Sequence, residues 1–221
     1  MSEVKDGSVD LIITSPPYNI GTKYGNYSDS LPIDEYKTLL KKVFSECTRI
    51  LKPGGKLILE CADSALINGT YIQLAGHIQG ICIKLGLKVI ERHINFSHSD
   101  NGSEIPEHGW KDDYTTTANS HSNCHQIIVF SRSDKVRFVS SGEVLYMNYK
   151  SVEGHPCPTP EAIYTFLLDK YFSSGMTVMD VFMGTAVLGA EVIKRGGLFI
   201  GYERDAFIYE IAERNLNRAI K

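Results

Sequence analysis

Apolar residues recur along this chain in short blocks whose spacing alternates between that of strands and that of helices. Val9-Asp10-Leu11-Ile12-Ile13-Thr14 is an almost uninterrupted apolar run and reads as a short buried parallel strand over residues 9–14. From Ile20 to Leu31 the composition turns to Gly, Asn, Ser and Tyr, which predicts a mobile loop able to close over a ligand. Asp34 is placed to cap a helix whose apolar positions Tyr36, Leu39, Leu40, Val43, Phe44, Cys47 and Leu51 follow helical spacing. Lys52-Pro53-Gly54-Gly55 then ends that helix and turns the chain into a strand over Lys56–Cys61. A second helix is predicted over Tyr71–Leu85, stopped by Gly86, with a strand over Leu87–Phe96 after it.

From Ser97 to Asn123 the pattern breaks. The stretch is polar, carries His98, His108, His121 and Trp110, and shows neither helical nor strand periodicity, so it reads as a long loop or small insertion over about 97–123. Cys124–Ser131, with Ile127-Ile128-Val129-Phe130 at its centre, is expected to be the antiparallel strand of the sheet. Ser133–Gly154 is a polar connector with Val136–Val139 as a candidate short strand. Thr159-Pro160 opens a helix carrying Ile163, Phe166, Leu167, Tyr171 and Phe172. Thr177-Val178-Met179-Asp180-Val181-Phe182-Met183-Gly184-Thr185-Ala186 reads as a strand, a tight turn at Gly184 and the start of a helix to about Arg195. Gly197–Tyr202 is a last strand, ending in Glu203, and Asp205 caps a closing helix through Phe207, Ile208, Ile211, Ala212 and Leu216. Strands and helices in alternation give an α/β fold: a mostly parallel sheet with one antiparallel strand and helices on both faces.

Composition narrows this picture. A chain of 221 residues, 43% hydrophobic and 22% charged, suits one soluble α/β domain spanning 1–221. No apolar run is long enough to cross a bilayer and no signal-peptide pattern opens the chain, so no membrane partner and a cytoplasmic location are expected. A net charge of −3 carries no overall basic footprint, leaving Lys23, Lys41, Lys42, Lys111, Arg132, Lys135 and Arg137 as candidates for a local basic face. The five cysteines, Cys47, Cys61, Cys82, Cys124 and Cys157, form no CxxC pair and read as reduced thiols. His121 and His125 beside Cys124 lack a second ligand pair, so no metal is expected.

Two stretches carry candidate chemistry. Thr14-Ser15-Pro16-Pro17-Tyr18-Asn19 places a hydroxyl, two prolines and an aromatic just beyond the first strand; the prolines remove two backbone donors and fix two φ angles, a rigidity that suits a site. Glu203 lies about 20 residues beyond the Gly184 turn, at the end of the next strand, where Rossmann-like sheets hold a nucleotide ribose. The glycine spacing of a dinucleotide loop is missing, which disfavours a nicotinamide or flavin enzyme.

The Ser15-Pro16-Pro17-Tyr18 loop resembles the catalytic loop of the amino-methylating DNA methyltransferases. The turn carrying Asp180, Phe182, Gly184 and Thr185 resembles their Phe-x-Gly cofactor loop, with Ala186 where a second glycine is expected. The catalytic loop precedes the cofactor half, which resembles the beta-class order, a permuted Rossmann-like methyltransferase sheet. The resemblance implies transfer of a methyl group from S-adenosylmethionine to an exocyclic base nitrogen of double-stranded DNA, the base being extruded from the helix. It implies that the Ser15 side chain and the Pro16 carbonyl accept the two amino protons, that Pro17 orients that carbonyl and that Tyr18 stacks on the base. On the cofactor side it implies Asp180, Phe182, Gly184, Thr185 and Glu203, with His155 and Thr159 lining the methionine end; Cys157-Pro158 interrupts the usual His-Pro form.

Ser15 in place of Asp tilts the expected target to N4 of cytosine, with N6 of adenine as the alternative; a non-catalytic nucleic-acid-binding subunit and an RNA or protein methyltransferase are further readings. Segment 97–123, with Tyr24 and Tyr27, is a candidate DNA contact. Family members usually carry a further strand, with an acidic residue near the adenine, before the segment that here begins with Met1, and that strand is expected to be missing. With no large recognition domain visible, a homodimer or partner subunit is a candidate arrangement.

Overall fold

In chain order the elements are β1 (Val9–Thr14), β2 (Lys23–Tyr24), β3 (Tyr27–Ser28), α1 (Ile33–Ile50), β4 (Leu51–Ala62), β5 (Ala65–Ile67), β6 (Thr70–Ile72) and α2 (Leu74–Lys84). There follow β7 (Lys88–Phe96), β8 (Ser120–His121), β9 (Cys124–Ser131), β10 (Val144–Tyr146), α3 (Glu161–Tyr171), β11 (Thr177–Asp180), α4 (Val187–Lys194), β12 (Leu198–Gly201) and α5 (Ala206–Ala219). This computed structural model describes residues 1–24, 27–67, 70–96, 120–121, 124–133, 142–147 and 158–220.

Seven strands form the main sheet in the order β10-β7-β9-β4-β1-β11-β12. Every pairing is parallel except those of β9, which runs antiparallel to both β4 and β7, as its sequence predicted. Because side chains alternate across a strand, Ile12, Leu57, Leu59, Ile128 and Phe130 meet Tyr36, Leu40 and Phe44 of α1 and Ile78 of α2 on one face. Leu11, Ile13, Ile58, Ile127 and Val129 meet Ile163 and Leu167 of α3 and Leu188 and Val192 of α4 on the other. From β1 the sheet grows through β4 on one side and through β11 on the other, so the strand order reverses at the β1–β11 boundary. Open α/β sheets bind ligands outside the carboxyl ends of their strands at such a point.

Several elements differ from expectation, for local reasons. Asp34 does not cap α1: Pro32 is the N-cap, its carbonyl accepts from the Tyr36 N–H at 3.0 Å, and Asp34 sits in the first turn, where the helix dipole favours it. Leu51 is not helical but extended, because it pairs with Val9; Leu11 then pairs with Lys56, so Lys52–Gly55 loops out as a bulge within β4. Gly54 at φ +82 makes that excursion possible. Arg132, a candidate for the basic face, clamps the bulge instead, donating to the Arg49 carbonyl at 3.0 Å and to that of Leu51. Lys111, Lys135 and Arg137 lie outside the described residues, and Lys41 and Lys42 are exposed on α1.

Tyr71 and Ile72, expected in the second helix, pair within β6 (Thr70–Ile72) with β5, so α2 begins at Leu74. The small β6-β5-β8 sheet takes in Ser120–His121 from the end of the polar segment; its remaining residues lie outside the described ones. Segment 20–31 contains a β2–β3 hairpin rather than a plain loop. The candidate strand Val136–Val139 lies outside the described residues; the connector also supplies β10, parallel to β7 at the sheet edge. Asp205 caps α5 as predicted, accepting from the Ile208 N–H at 3.0 Å. Among the described residues no helix is long and apolar enough to cross a membrane.

Candidate active site

The strand tips at the reversal are stitched together by side chains. Thr14 Oγ1, at the end of β1, donates to Asp180 Oδ1, at the end of β11, over 2.6 Å, and the Phe182 N–H donates to the same oxygen at 3.0 Å. Asp180 is 1% exposed. Burial first, and the nearby Glu203 charge after it, push its carboxyl up from 3.8 to about 7, against the two hydrogen bonds that favour the anion. Beyond β11, Gly184 at φ +51 and Ala186 at φ +58 turn the chain into α4. The left-handed conformation is costly for an L-residue with a Cβ, so the Ala186 position carries strain that a glycine would not.

The first loop is fixed with equal care. The Tyr36 hydroxyl, reaching up from α1, donates to the Pro17 carbonyl at 2.7 Å. Asn19, at φ +60 and fully buried, exchanges two hydrogen bonds with Leu31: its Nδ2 donates to the carbonyl at 2.8 Å and its Oδ1 accepts from the N–H at 2.7 Å. Asp29 accepts from the Asn19 N–H at 2.9 Å and the Ile20 N–H at 3.3 Å, closing the base of the β2–β3 hairpin onto the loop. Burial pushes the Asp29 carboxyl up from 3.8 to about 6.

Between these two loops lies an open cavity of roughly 350 Å³. Ser15, Pro16, Pro17 and Tyr18 line one wall; Phe182, Thr185 and Glu203 line the other, with Thr159, Pro158 and Tyr164 completing it. The structure therefore brings together all four expected catalytic residues and four of the expected cofactor residues. Asp180 lies beneath the cavity as a support, Gly184 shapes the turn without lining it, and His155 lies outside the described residues. Glu203 Oε1 accepts from the Arg204 and Asp205 N–H groups at 2.8 Å each, which fixes its carboxylate beside the cap of α5.

Sequence reasoning gave no role in this site to four contributors. Tyr164 and Tyr202 line the cavity from α3 and from the end of β12. Behind Tyr18 stand Glu60 and His125, both buried, with His125 Nδ1 2.7 Å from Glu60 Oε1 and 3.3 Å from the Tyr18 hydroxyl. The signal for Glu60 was present: a carboxylate inside the otherwise apolar run Leu57-Ile58-Leu59-Glu60-Cys61-Ala62. Burial raises the Cys47 thiol to about 12 and lifts those of Cys61 and Cys124, so these sulfurs stay protonated and poorly nucleophilic.

The DNA methylase family model of the N6 and N4 type matches residues 9–214. Type II methyltransferase M.HpaI of Haemophilus parainfluenzae is 25% identical over 239 residues, covering 98% of this chain and 71% of its own. DNA adenine methyltransferase YhdJ of Escherichia coli is 24% identical over 257 residues, covering 99% and 80%. Among solved structures, the DNA modification methylase TTHA0409 of Thermus thermophilus, complexed with S-adenosyl-L-methionine, superposes with a TM-score of 0.73 at 21% identity, covering 99% of this chain and 89% of that one. PvuII DNA methyltransferase (cytosine-N4-specific) does so with a TM-score of 0.69 at 17% identity, covering 98% and 88%. With nearly its whole length matched by one family model, and the two motif loops facing each other across one cavity, this chain belongs to the N6/N4 DNA methylase family.

Proposed function

We propose that this chain transfers a methyl group from S-adenosylmethionine to the exocyclic N4 of cytosine in double-stranded DNA. The observation that carries the reading is that Ser15-Pro16-Pro17-Tyr18 and Phe182, Thr185 and Glu203 line the same cavity. The lining fits the donor: apolar walls from Val181, Phe182, Met183 and Val187 suit an adenine ring, and the Glu203 carboxylate suits a ribose diol. S-adenosylmethionine has no phosphate, and the lining offers a carboxylate and hydroxyls in place of a glycine-rich phosphate cradle.

When bound, the cofactor supplies an electrophilic methyl group on a sulfonium. The protein's task is to make a weak nucleophile attack it. The amino nitrogen of cytosine is poorly nucleophilic because its lone pair is delocalised into the ring. Ser15 Oγ and the Pro16 carbonyl each accept a hydrogen bond from one of its N–H groups and so gather that lone pair on nitrogen, while Tyr18 holds the extruded base by stacking. As the N–C bond forms, the methyl–sulfur bond breaks to leave a neutral thioether, and one amino proton is released to water. Tyr36 and the Asn19–Asp29 clasp hold this loop in place before substrate arrives. No covalent enzyme intermediate is required, in keeping with the protonated cysteines. The cytoplasm is the compartment this reading implies, and a homodimer or partner subunit the arrangement that completes target recognition.

Ser15 favours cytosine, as does the likeness to the PvuII enzyme. The likeness to YhdJ, an adenine methyltransferase, favours N6 of adenine by the same mechanism. Incubation with labelled S-adenosylmethionine and mixed-sequence duplex DNA, followed by mass spectrometry of the nucleosides, separates them. N4-methylcytosine is the expected product; N6-methyladenine replaces the target but keeps the mechanism, and label in neither, with cofactor bound, overturns the reading.

A further inference from the structure

Glu60 and His125 occupy neighbouring strands, β4 and β9. Ala62 pairs with His125 across the ladder, so Glu60, two residues earlier, is the diagonal neighbour of His125 on the same sheet face. Ile58, Ile127 and Val129 continue that face as plain core. Glu60 is 2% exposed and His125 1%. An ionisable pair in such a place adds little stability over apolar residues of the same volume. Its position points to another use.

Thr14 pairs with Leu59, so the carboxylate of the next residue lies directly behind the Ser15–Tyr18 loop. Its two oxygens serve opposite walls of the cavity. Oε1 is 2.7 Å from His125 Nδ1, the atom that also meets the Tyr18 hydroxyl at 3.3 Å. Oε2 accepts from Thr159 Oγ1 at 3.3 Å. The Tyr18 and His125 rings lie 6.0 Å apart, inclined at 56°, so the imidazole meets the phenol at its hydroxyl and stands against its ring. The 2.7 Å contact between Glu60 Oε1 and His125 Nδ1 fixes the imidazole plane.

We propose that Glu60 and His125 are positioning residues for methyl transfer: Glu60 orients His125, and His125 sets the plane of the Tyr18 ring on which the target base stacks. The inference rests on the stacking role given to Tyr18 above. Misplacing a reacting group by about an ångström can cost on the order of 100-fold in rate, which sets the scale of the effect.

Four variants test it. Tyr18→Phe keeps the ring and removes the hydroxyl, His125→Phe keeps a ring and removes Nδ1, their double variant closes the cycle, and Glu60→Gln removes the carboxylate that orients the imidazole. Two readouts are taken together: the single-turnover rate of methyl transfer to duplex DNA, and the His125 ring signals in long-range ¹H–¹⁵N spectra of the free protein. Each single variant is expected to lower the rate about 10- to 100-fold, with cofactor affinity within twofold of the parent. The double variant should fall no further than the worse of its two single ones, and Tyr18→Phe and Glu60→Gln should each move the His125 signals. Folded single variants with parental rates, losses that multiply in the double variant, or His125 signals unmoved by Tyr18→Phe would each overturn the proposal. An inactive parent would remove the methyl-transfer reading instead, and the spectra would still decide whether Glu60 and Tyr18 hold His125.

Discussion

Replacing Asp180 by Asn should make this protein more stable at neutral and alkaline pH. The Asp180 carboxyl is held about three units above its ordinary value of 3.8, at about 7, chiefly because burial disfavours the anion. A group whose pKa is raised by folding binds its proton more tightly in the native state, so its contribution is fully present below the unfolded pKa and is lost as pH rises through the folded one. At about 1.4 kcal/mol per unit, the loss accumulates between pH 4 and pH 7 to about 4 kcal/mol, an upper figure because the surroundings relax around the charge. Asparagine mimics the protonated form. Its Oδ1 can still accept from Thr14 and from the Phe182 N–H, and no charge faces Glu203. Urea denaturation of parent and Asp180→Asn at pH 4.5, 6 and 8 should show the two nearly equal at the lowest pH. The variant should gain steadily to a few kcal/mol at pH 8, with unchanged m-values. A pH-independent offset, or a variant less stable at pH 8, would refute the assignment of a buried, repelled carboxylate at this position.

Other perturbations follow from the same geometry. Asp29→Ala leaves the Asn19 and Ile20 N–H groups without their carboxylate and should cost about 1–3 kcal/mol in chemical denaturation, with a transfer rate lowered more than cofactor affinity. Gly189→Ala places a Cβ 2.5 Å from the Phe199 ring and 2.7 Å from Leu216 Cδ2, so those side chains must shift at about 1–3 kcal/mol, read as a lowered denaturation midpoint. Cys124→Ser should leave methyl transfer intact, since no step uses a thiolate; a folded but inactive variant would contradict direct transfer.

Much of the site was legible in the sequence because its determinants are local. Two prolines between a strand and an aromatic, a glycine turn between a strand and a helix, and a carboxylate at a strand end each announce themselves within a few residues, and the structure sets them around one cavity. The strands β1, β4, β11 and β12 and the antiparallel β9 were legible as apolar runs, though their order in the sheet was not. What escaped depends on partners distant in the chain. Glu60 and His125 meet only through the β4–β9 register, and Asp180 finds Thr14 only once β1 and β11 are paired. Tyr71 and Ile72 joined a strand rather than the helix because Ala65–Ile67 offered a ladder, and β10 pairs with a strand some fifty residues before it, a contact no local pattern reveals. The Asn19–Asp29 clasp was hidden inside what composition alone described as a loop.

Whether the one cavity holds two half-sites with separate tasks is tested most directly by a crossed pair of variants. Calorimetric affinity for S-adenosylmethionine and the single-turnover rate of transfer to DNA at saturating cofactor are measured for Ser15→Ala and Glu203→Ala. Ser15→Ala should bind cofactor like the parent and transfer at least 100-fold more slowly, having lost an acceptor aimed at the positive charge that develops on the amino group. Glu203→Ala should bind cofactor at least tenfold more weakly and approach the parental rate once saturated. Equal losses of binding and rate in both variants, or undiminished transfer by Ser15→Ala, would contradict that division.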